Sequence, residues 1–381
     1  MKALVLSGGG AKGSYEIGVW KALRKLNIKF DIVTGTSVGA LNGAIITQNS
    51  YLKALNIWKK INFGMLFEEE SIEYKNNLEL YKIYGRNFLK NGGMNTDKIE
   101  ALVNRVIKKD KFYRSKINFG LVTYDYRTKK PLELEKKEIP KELLSDYLIA
   151  SASCYPAFKK KEINGKEYID GGYYDNLPIN LALKMGATEI IAIDLRAPGI
   201  KKLTKERVNI DIIRPNNKLS NFLEFSEKSA KRNLILGYND TLKYFHKLEG
   251  GKYSFKLGHI EKNKKRIKGQ FKYLLEEILN TKKLVTEVEK IVTKDNNREN
   301  ELLLKLMEEL ASELKLEDTK IYSYRKFNHL LKKNLKNSFN LKEIDLYKLL
   351  NRKDYKSIRK EMFINPIRVL KAIYLYIICE G

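Results

Sequence analysis

The sequence predicts an α/β protein with a mainly parallel sheet, followed by a mostly helical C-terminal domain. Short apolar segments are followed at once by helix-like segments twice in the first fifty residues, a pattern typical of a βαβ unit and a parallel sheet. Glycine is absent between Gly269 and the last residue, where the pattern becomes helical. With 381 residues, 43% hydrophobic and 31% charged, the composition is that of a globular rather than a disordered protein.

The predicted elements of the first part alternate in type along the chain. The strand-like segments are KALVLS, FDIVTGTS, two strands within INFGLVTYDYRTKKPLELE, the hairpin KKEINGKEYIDGG and ATEIIAIDL. The helix-like segments are GSYEIGVWKALRKLNI, VGALNGAIITQN, MNTDKIEALVNRVI, LLSDYLIASAS and LSNFLEFSEKSAKRNLILGYNDTLKYFHKL. Asn164-Gly165 has the residues of a tight hairpin turn, and either Asn95 or Thr96 has the side chain of a helix cap. We expect this first domain to span residues 1–250.

Residues 251–381 are expected to form a second domain that begins with a short β-like segment and is otherwise helical and basic. Within ENELLLKLMEELASELKL, leucines recur at every fourth residue, which is the spacing of one buried helix face. No motif indicates a role for this domain. A homo-oligomer formed through its helices is one expectation.

The formal charge of +27 is spread along the chain rather than confined to a tail. A basic surface favours anionic partners, and we expect an anionic membrane surface rather than nucleic acid; a lysine-rich solvated surface is the alternative. No apolar run approaches the 18 or so residues of a membrane-spanning helix. Because Met1 leads almost directly into the first strand, we expect no signal peptide and a cytoplasmic protein that contacts membranes peripherally.

The stretch LVLSGGGAKGSYEIGV contains Gly8, Gly10 and Gly13 in the G-x-G-x-x-G spacing of a dinucleotide-binding turn. It differs from a P-loop because Lys12 precedes the last glycine instead of following it. Asp31 lies at about the distance where a dinucleotide fold places its ribose-binding acid. That acid belongs at the end of a strand, however, whereas Asp31 opens one. The loop is therefore expected to face another kind of negative charge.

The second strand-like segment ends in GTSVG, a G-x-S-x-G motif placed between a strand and a helix. A serine on such a sharp turn points its oxygen outward, and Gly35 and Gly39 avoid clashes that a side chain would cause. The positive end of the following helix favours an oxyanion nearby. Ser37 is thus predicted to be a nucleophile, with an ordinary helix cap as the alternative.

A serine nucleophile needs a base. The only histidines, His246, His259 and His329, lie outside the α/β part and none follows a strand-like segment as a catalytic histidine would. Asp170 is the better candidate because it ends a strand-like segment and is followed by Gly171 and Gly172, which let the chain turn toward the other loops. The two cysteines, Cys154 and Cys379, have no metal-type spacing and are expected to be small buried residues. Asp175 and Asn176 are expected to cap the next helix.

These three motifs together resemble the patatin-like phospholipase family over roughly residues 1–250. Gly8-Gly9-Gly10-Ala11-Lys12-Gly13 is similar to its oxyanion loop, Gly35-Thr36-Ser37-Val38-Gly39 to its nucleophile turn, and Asp170-Gly171-Gly172 to its D-G-G/A motif. The resemblance implies a three-layer α/β/α domain and a Ser37–Asp170 catalytic dyad. It also implies an oxyanion hole in the segment Gly8, Gly9, Gly10 and Ala11, with the N–H groups of Gly9 and Gly10 as the first candidates. Two interpretations of Lys12 stay open: its side chain contacts a lipid phosphate, or it points into solvent.

The function that follows from the resemblance is the hydrolysis of acyl esters in phospholipids or lysophospholipids, with no cofactor and no metal. A catalytically inactive binding scaffold on the same fold, for a membrane or for nucleic acid, is the alternative. Two segments are candidate membrane contacts or lids: IWKKINFGMLF, with core packing as its alternative, and MFINPIRVLKAIYLYIIC, with a docking or dimer helix as its alternative.

Overall fold

The computed structural model describes residues 1–67, 77–204, 206, 208–280, 299–336 and 343–380. Contacts divide the chain into two compact units, Met1–Thr241 and Leu242–Gly381. The first unit contains all three glycine-bearing motifs, and the second contains the three histidines.

The first unit is built on an eight-stranded sheet. Its strands are β1 (Lys2–Leu6), β2 (Ile32–Thr36), β3 (Asn118–Asp125), β4 (Pro131–Glu135), β5 (Lys161–Ile163), β6 (Lys166–Asp170), β7 (Glu189–Ile193) and β8 (Asn209–Ile213). Hydrogen-bonded strands follow one another in the order β5-β6-β3-β2-β1-β7-β8, and β4 is also paired to β3. Both β2 and β6 pair with the edge of β3 that β4 leaves free. Strands β3, β2, β1, β7 and β8 pair in parallel, whereas β4 and β6 run antiparallel to β3 and β5 runs antiparallel to β6. The prediction of a mainly parallel sheet is confirmed.

Ten helices accompany this sheet among the residues that the structure describes. They are α1 (Ser14–Lys25), α2 (Val38–Thr47), α3 (Tyr51–Lys60), α4 (Phe63–Leu66), α5 (Asn77–Asn91), α6 (Asp97–Val106), α7 (Lys109–Tyr113), α8 (Leu144–Ala152), α9 (Ile179–Lys184) and α10 (Glu227–Tyr244), the last of which ends in the second unit. Short 3-10 turns cover Gly10–Gly13, Lys136–Glu138, Lys141–Leu143 and Gly171–Tyr173. Two of these turns carry predicted site residues.

The sheet is buried on both faces because successive side chains of a strand point to opposite sides. On one face, Val5 joins a core cluster with Leu181 of α9. On the other face, Gly43 of α2 packs against Leu6 and Phe119, and its missing side chain lets the helix lie close to the strands. Helices on both faces of one sheet give the three-layer α/β/α arrangement that the family resemblance implies.

The second unit is mostly helical, as predicted. It contains α11 (His259–Leu279), α12 (Glu299–Glu313), α13 (Tyr324–Lys336), α14 (Ile344–Asn351), α15 (Tyr355–Ile364) and α16 (Pro366–Glu380), with a two-stranded parallel ribbon of β9 (Ser254–Phe255) and β10 (Ile321–Tyr322). The leucines spaced by four in α12 are buried in its core.

Two short strands were not predicted from the sequence. β8 is an edge strand that pairs only with β7, and four of its five side chains remain partly exposed. β10 is two residues long and pairs with β9 across more than sixty intervening positions. Neither strand has the continuous apolar run or the local turn that identifies a strand from sequence.

The two segments considered as membrane contacts are largely core. Trp58, Phe63 and Phe67 are buried, and so are most side chains of α16. Phe363 and Ile364, which precede α16, are exposed. No helix among the described residues is long and apolar enough to cross a membrane.

The core of the second unit encloses a charged side chain. Lys371 of α16 is only 8% exposed, and its Nζ lies 2.7 Å from a carboxylate oxygen of Glu343 and 2.6 Å from one of Glu313. Glu343 is 3% exposed, whereas Glu313 reaches solvent. Burying a charge is costly unless an opposite charge is held against it, so each member of the Lys371–Glu343 pair requires the other.

We therefore expect Lys371→Met to lower the stability of this unit by roughly 3–5 kcal/mol, because it leaves the Glu343 carboxylate buried without its cation. The double variant Lys371→Met/Glu343→Met should lose much less. Hydrogen exchange of the α16 amides in the full chain, followed against urea concentration, measures both losses. Equal losses in the single and the double variant would contradict this account.

Candidate active site

The sheet register brings Ser37 and Asp170 together. Strand β2 runs along one edge of β3 and ends where Thr36 is paired with Val122. Strand β6 runs the opposite way and ends where Asp170 is paired with Thr123, the next residue of β3. Because β4 occupies the other edge of β3 at these positions, β2 and β6 meet end to end along the same edge. Residues about 130 positions apart in sequence are therefore neighbours at one point of the sheet.

Ser37 lies on a constrained turn between β2 and α2. Its backbone has φ 57° and ψ −130°, a conformation that costs energy for a residue with a side chain. A Cβ on Gly39 would lie 2.5 Å from the Leu6 carbonyl oxygen, so only glycine lets α2 start this close to β1. The Ser37 N–H donates to the Ser151 hydroxyl at 3.0 Å, and that hydroxyl donates to the Val122 carbonyl at 2.7 Å. These two hydrogen bonds therefore fix the backbone of the predicted nucleophile relative to α8 and β3.

Asp170 is the buried carboxylate of the site. It is 5% exposed, and burial raises its pKa from 3.8 to about 6. The Ser37 side chain and the Gly172 N–H, which donates to the carboxylate at 2.7 Å, both oppose that rise in pKa. Ser37 and Asp170 line the same cavity, and no histidine is among the residues that line it. At neutral pH this carboxylate is ionised, yet its pKa is close enough for it to accept a proton.

The glycine loop leaves two N–H groups for a ligand. The N–H of Gly8 donates to the Asn176 carbonyl at 3.0 Å, and that of Ala11 donates to the Phe222 carbonyl at 2.8 Å. The N–H groups of Gly9 and Gly10 have no hydrogen-bond acceptor within the described part of the chain. Gly10 has φ 53°, and a Cβ there would lie 2.2 Å from the Phe222 carbonyl oxygen. Of the four residues of the expected oxyanion segment, Gly9 and Gly10 therefore retain free donors.

Lys12 does not point freely into solvent. It is half-buried, and its ammonium group lies 3.3 Å from the Arg196 carbonyl oxygen. Burial lowers its pKa, and the positive charges of Lys201 and Lys218 lower it further, against the opposing effect of Asp194. A cation in surroundings of net positive charge favours an anion beside it.

Two cavities open at Ser37. The first is lined almost entirely by apolar side chains, among them Leu41, Ile45, Trp58, Leu102 and Val106, and contains about 800 Å³ of empty space including its mouth. The second contains Asp170, Cys154, Tyr173 and Asn176, and also includes residues 197–200. Ser37, Gly10 and Phe158 line both cavities, so the predicted nucleophile lies where the two spaces meet.

Sequence reasoning missed two residues that shape the site. Ser151 holds the Ser37 backbone, and Asn176 joins the glycine loop to the Asp170 turn because its carbonyl accepts the Gly8 N–H. The Asn176 amide also donates to the Pro198 carbonyl, in the loop after β7, at 3.2 Å. A serine in an ASAS helix end and an asparagine before a helix have common structural roles, so their residue types gave no signal. The predicted helix-capping role of Asp175 and Asn176 was wrong, since α9 begins only at Ile179. Asp175 instead accepts the Leu177 N–H at 3.1 Å.

The histidine and cysteine side chains do not support a catalytic histidine or a thiol nucleophile in this unit. No histidine is among the residues that line the two cavities, and all three histidines belong to the second unit. Cys154 is present in the second cavity, but burial and the Asp170 charge raise its pKa to about 12, so it stays a neutral thiol. Across the described ranges no group of histidine, cysteine and acidic side chains has the arrangement of a metal site.

Comparison with known proteins agrees with the motifs. Residues 4–183 match the model of the family described as patatin-like phospholipase. Patatin-like phospholipase domain-containing protein 7 of Mus musculus is 30% identical over 204 residues, which are 53% of this chain and 14% of that protein. Lysophospholipase NTE1 of Candida albicans is 26% identical over 205 residues, 50% of this chain and 13% of that protein. The chain thus covers about one seventh of the length of these relatives.

Two solved structures align along nearly the whole chain, but weakly. VipD from Legionella pneumophila has a TM-score of 0.37 and 13% identity, with 99% of this chain and 91% of that chain covered. The type III effector ExoU has a TM-score of 0.36 and 12% identity, with 98% and 76% covered. Scores this low carry no inference about function. The family match and the curated relatives carry the comparison: residues 4–183 of this chain match the patatin-like phospholipase family.

Proposed function

We propose that this protein hydrolyses the carboxylic esters of membrane lipids through an acyl-enzyme on Ser37, with Asp170 as the general base. The observation that carries the proposal is that Ser37, on its strained turn, and the buried Asp170 carboxylate line one cavity where it meets a second, with the Ser37 side chain close enough to lower the pKa of Asp170. The family match and the lysophospholipase relatives support a lipid substrate.

The first step is the attack of Ser37 on the ester carbonyl. Asp170 takes the hydroxyl proton as the Ser37 Oγ bonds to the carbonyl carbon, and the carbonyl oxygen becomes an oxyanion. The free N–H groups of Gly9 and Gly10 are the donors for that oxygen. Donors of this kind are worth on the order of 3 kcal/mol each in acyl transfer, because they are already oriented when charge develops.

The acyl-enzyme then forms and is hydrolysed. The carbon–oxygen bond to the leaving alcohol breaks, and the proton held by Asp170 passes to that alcohol. Water next donates a proton to Asp170 while its oxygen attacks the acyl carbonyl, which produces a second oxyanion in the same place. When the bond to Ser37 breaks, the proton returns to the Ser37 oxygen and a fatty acid is released. One carboxylate therefore serves both half-reactions.

The two cavities suit the two parts of such a substrate. The apolar cavity matches an acyl chain, since burial of its methylenes is favourable there. The cavity beside Asp170 holds more polar groups and matches the leaving alcohol. Phe158 lines both cavities.

The far end of the apolar cavity can be located from the helix that borders it. Val38, Leu41 and Ile45 follow one face of α2, and Ile45 is eight residues beyond Ser37, about 12 Å along the helix. Beyond Ile45, the Gln48 amide donates to the Val106 carbonyl at 3.0 Å and accepts the Lys108 N–H at 2.9 Å. These bonds hold the 106–108 segment against the end of α2, and we infer from them that Ile45 stands at the closed end of the cavity.

Ser37→Ala and Asp170→Asn should each lower kcat/KM toward a short-chain acyl ester by at least roughly a thousandfold, because each removes a partner in the proton transfer. His246→Ala should keep the wild-type value. Thermal unfolding of every variant serves as the folding control. A folded but inactive His246→Ala would indicate a triad instead, and a wild type without activity on esters or phospholipid vesicles would favour the scaffold function.

The pH dependence should report the Asp170 carboxylate. Because the base must be ionised, kcat/KM for a soluble ester should be level above a pKa of about 6 and fall as the pH drops below it. Glu16 is a second buried carboxylate whose pKa is raised by burial, to about 8, so Glu16→Gln is the control that should leave the inflection near 6. An inflection that moves with Glu16→Gln would assign the base elsewhere.

The same titration predicts a stability effect. The folded state holds the Asp170 proton more tightly than the unfolded state, so stability falls as the pH rises from 3.8 to about 6 and the loss is constant above that range. Asp170→Asn should then be more stable than wild type at pH 8 by on the order of 2 kcal/mol, with the difference vanishing toward pH 4. Urea unfolding at both pH values measures it.

Ile45→Phe should shift the preferred acyl chain to shorter lengths, with the ratio of long-chain to short-chain kcat/KM falling about tenfold, because the added ring occupies the closed end. Ile45→Val should keep or slightly raise that ratio. Rates on a series of p-nitrophenyl esters of increasing chain length provide the measurement. A uniform loss at every length would show a folding defect, not a length limit.

A further inference from the structure

The loop that follows β7 exposes apolar side chains beside the mouth of the second cavity. Ile200 lines that cavity and is 55% exposed, and Leu203 is 92% exposed. Tyr173, which lines the same cavity, is 43% exposed. Large apolar side chains this accessible are costly in water unless something covers them.

The loop is held firmly where it meets the Asp170 turn. The Ile200 N–H donates to the Gly172 carbonyl at 2.9 Å, and the Ile200 carbonyl accepts the Asn176 N–H at 2.6 Å. Ile200 therefore projects from a backbone that is bonded on both sides to the 170–176 segment. Its exposure is fixed by the fold, not by a loose end of chain.

Positive charge surrounds these apolar side chains. Lys201 and Lys202 lie between Ile200 and Leu203, and Lys12 lies near both Lys201 and Lys218. The carboxylate at the centre of the group, Asp194, is shared by Lys201 at 2.6 Å and Arg214 at 3.0 Å, so the cations outnumber it. Exposed apolar side chains set among an excess of cations are complementary to a bilayer whose headgroups are anionic.

We propose that Ile200 and Leu203 form a docking loop that inserts into an anionic lipid surface and places the mouth of the second cavity against it. The inference rests on the proposed lipid hydrolase function and names the surface through which substrate is reached. The lysines contact headgroup phosphates while the two apolar side chains enter the acyl boundary. A lipid then reaches Ser37 through the cavity that Ile200 borders, without crossing bulk water.

Tryptophan placed at the loop tests insertion directly. Both native tryptophans, Trp20 and Trp58, are buried, so a new exposed one is readily distinguished. In a Ser37→Ala background that prevents turnover, Leu203→Trp should show blue-shifted emission on addition of phosphatidylcholine vesicles containing phosphatidylglycerol. Pure phosphatidylcholine vesicles should give little shift, and added salt should reverse it.

The matched control is Phe363→Trp in the same background, because Phe363 is 70% exposed but belongs to the second unit. Its emission should not shift. A shift at residue 363 without one at residue 203 would overturn the proposal in favour of docking by the second unit. Vesicle binding with no shift at residue 203, or no binding to anionic vesicles at all, would overturn it as well.

Activity separates this proposal from the one on which it rests. Leu203→Ser, at a position outside both cavity linings, should keep wild-type kcat/KM on a soluble ester yet lose about tenfold in rate on phosphatidylglycerol-containing vesicles. Equal rates of Leu203→Ser and wild type on those vesicles would reject the docking loop alone. An absence of soluble-ester hydrolysis by wild type would reject the hydrolase function, while the fluorescence experiment would still decide the docking.

Discussion

The backbone conformation of Ser37 is the constraint on which the site depends. Positive φ at a residue with a side chain persists only if its surroundings hold it there. Here the surroundings are Gly35 and Gly39, where any Cβ would meet a carbonyl oxygen, and the Ser151 hydroxyl, which accepts the Ser37 N–H. The end of α8 also reaches the other half of the site, because the Ser153 carbonyl accepts the Asp170 N–H at 2.9 Å. One helix end therefore positions both the serine and the carboxylate.

Burial of Asp170 connects chemistry with stability. The low-polarity surroundings that raise its pKa make it a better proton acceptor near neutral pH, and the same surroundings penalise its charge in the folded state. The Gly172 N–H and the Ser37 side chain both favour the charged carboxylate, but they do not cancel the effect of burial. The fold thus maintains an ionised group at some cost in stability, which suits the base that we propose, one that takes and returns a proton twice per cycle.

Much of this site could be predicted from sequence because its motifs are local. The G-x-S-x-G motif at residues 35–39 predicts a sharp strand-to-helix turn from residue types alone. The two glycines that follow Asp170 likewise predict a turn at that residue. What sequence could not supply depends on distant contacts. Whether the N–H of Gly8 or Ala11 is free is decided by carbonyl groups of Asn176 and Phe222, more than 160 positions away.

The exposed loop at residues 200–203 is a second feature that could not be predicted from the sequence alone. Lys201-Lys202 between two apolar residues is an ordinary surface pattern in a chain with this much lysine, and only burial and cavity lining distinguish it. The two apolar segments that stood out in sequence lie largely in the core. A run of apolar residues indicates that the segment is buried, but not whether protein or membrane buries it. The loop matters physically because its Ile200 main chain is bonded to Gly172 and Asn176. Through those two hydrogen bonds, a contact between Ile200 and a lipid surface, as we propose, would act directly on the turn that holds Asp170.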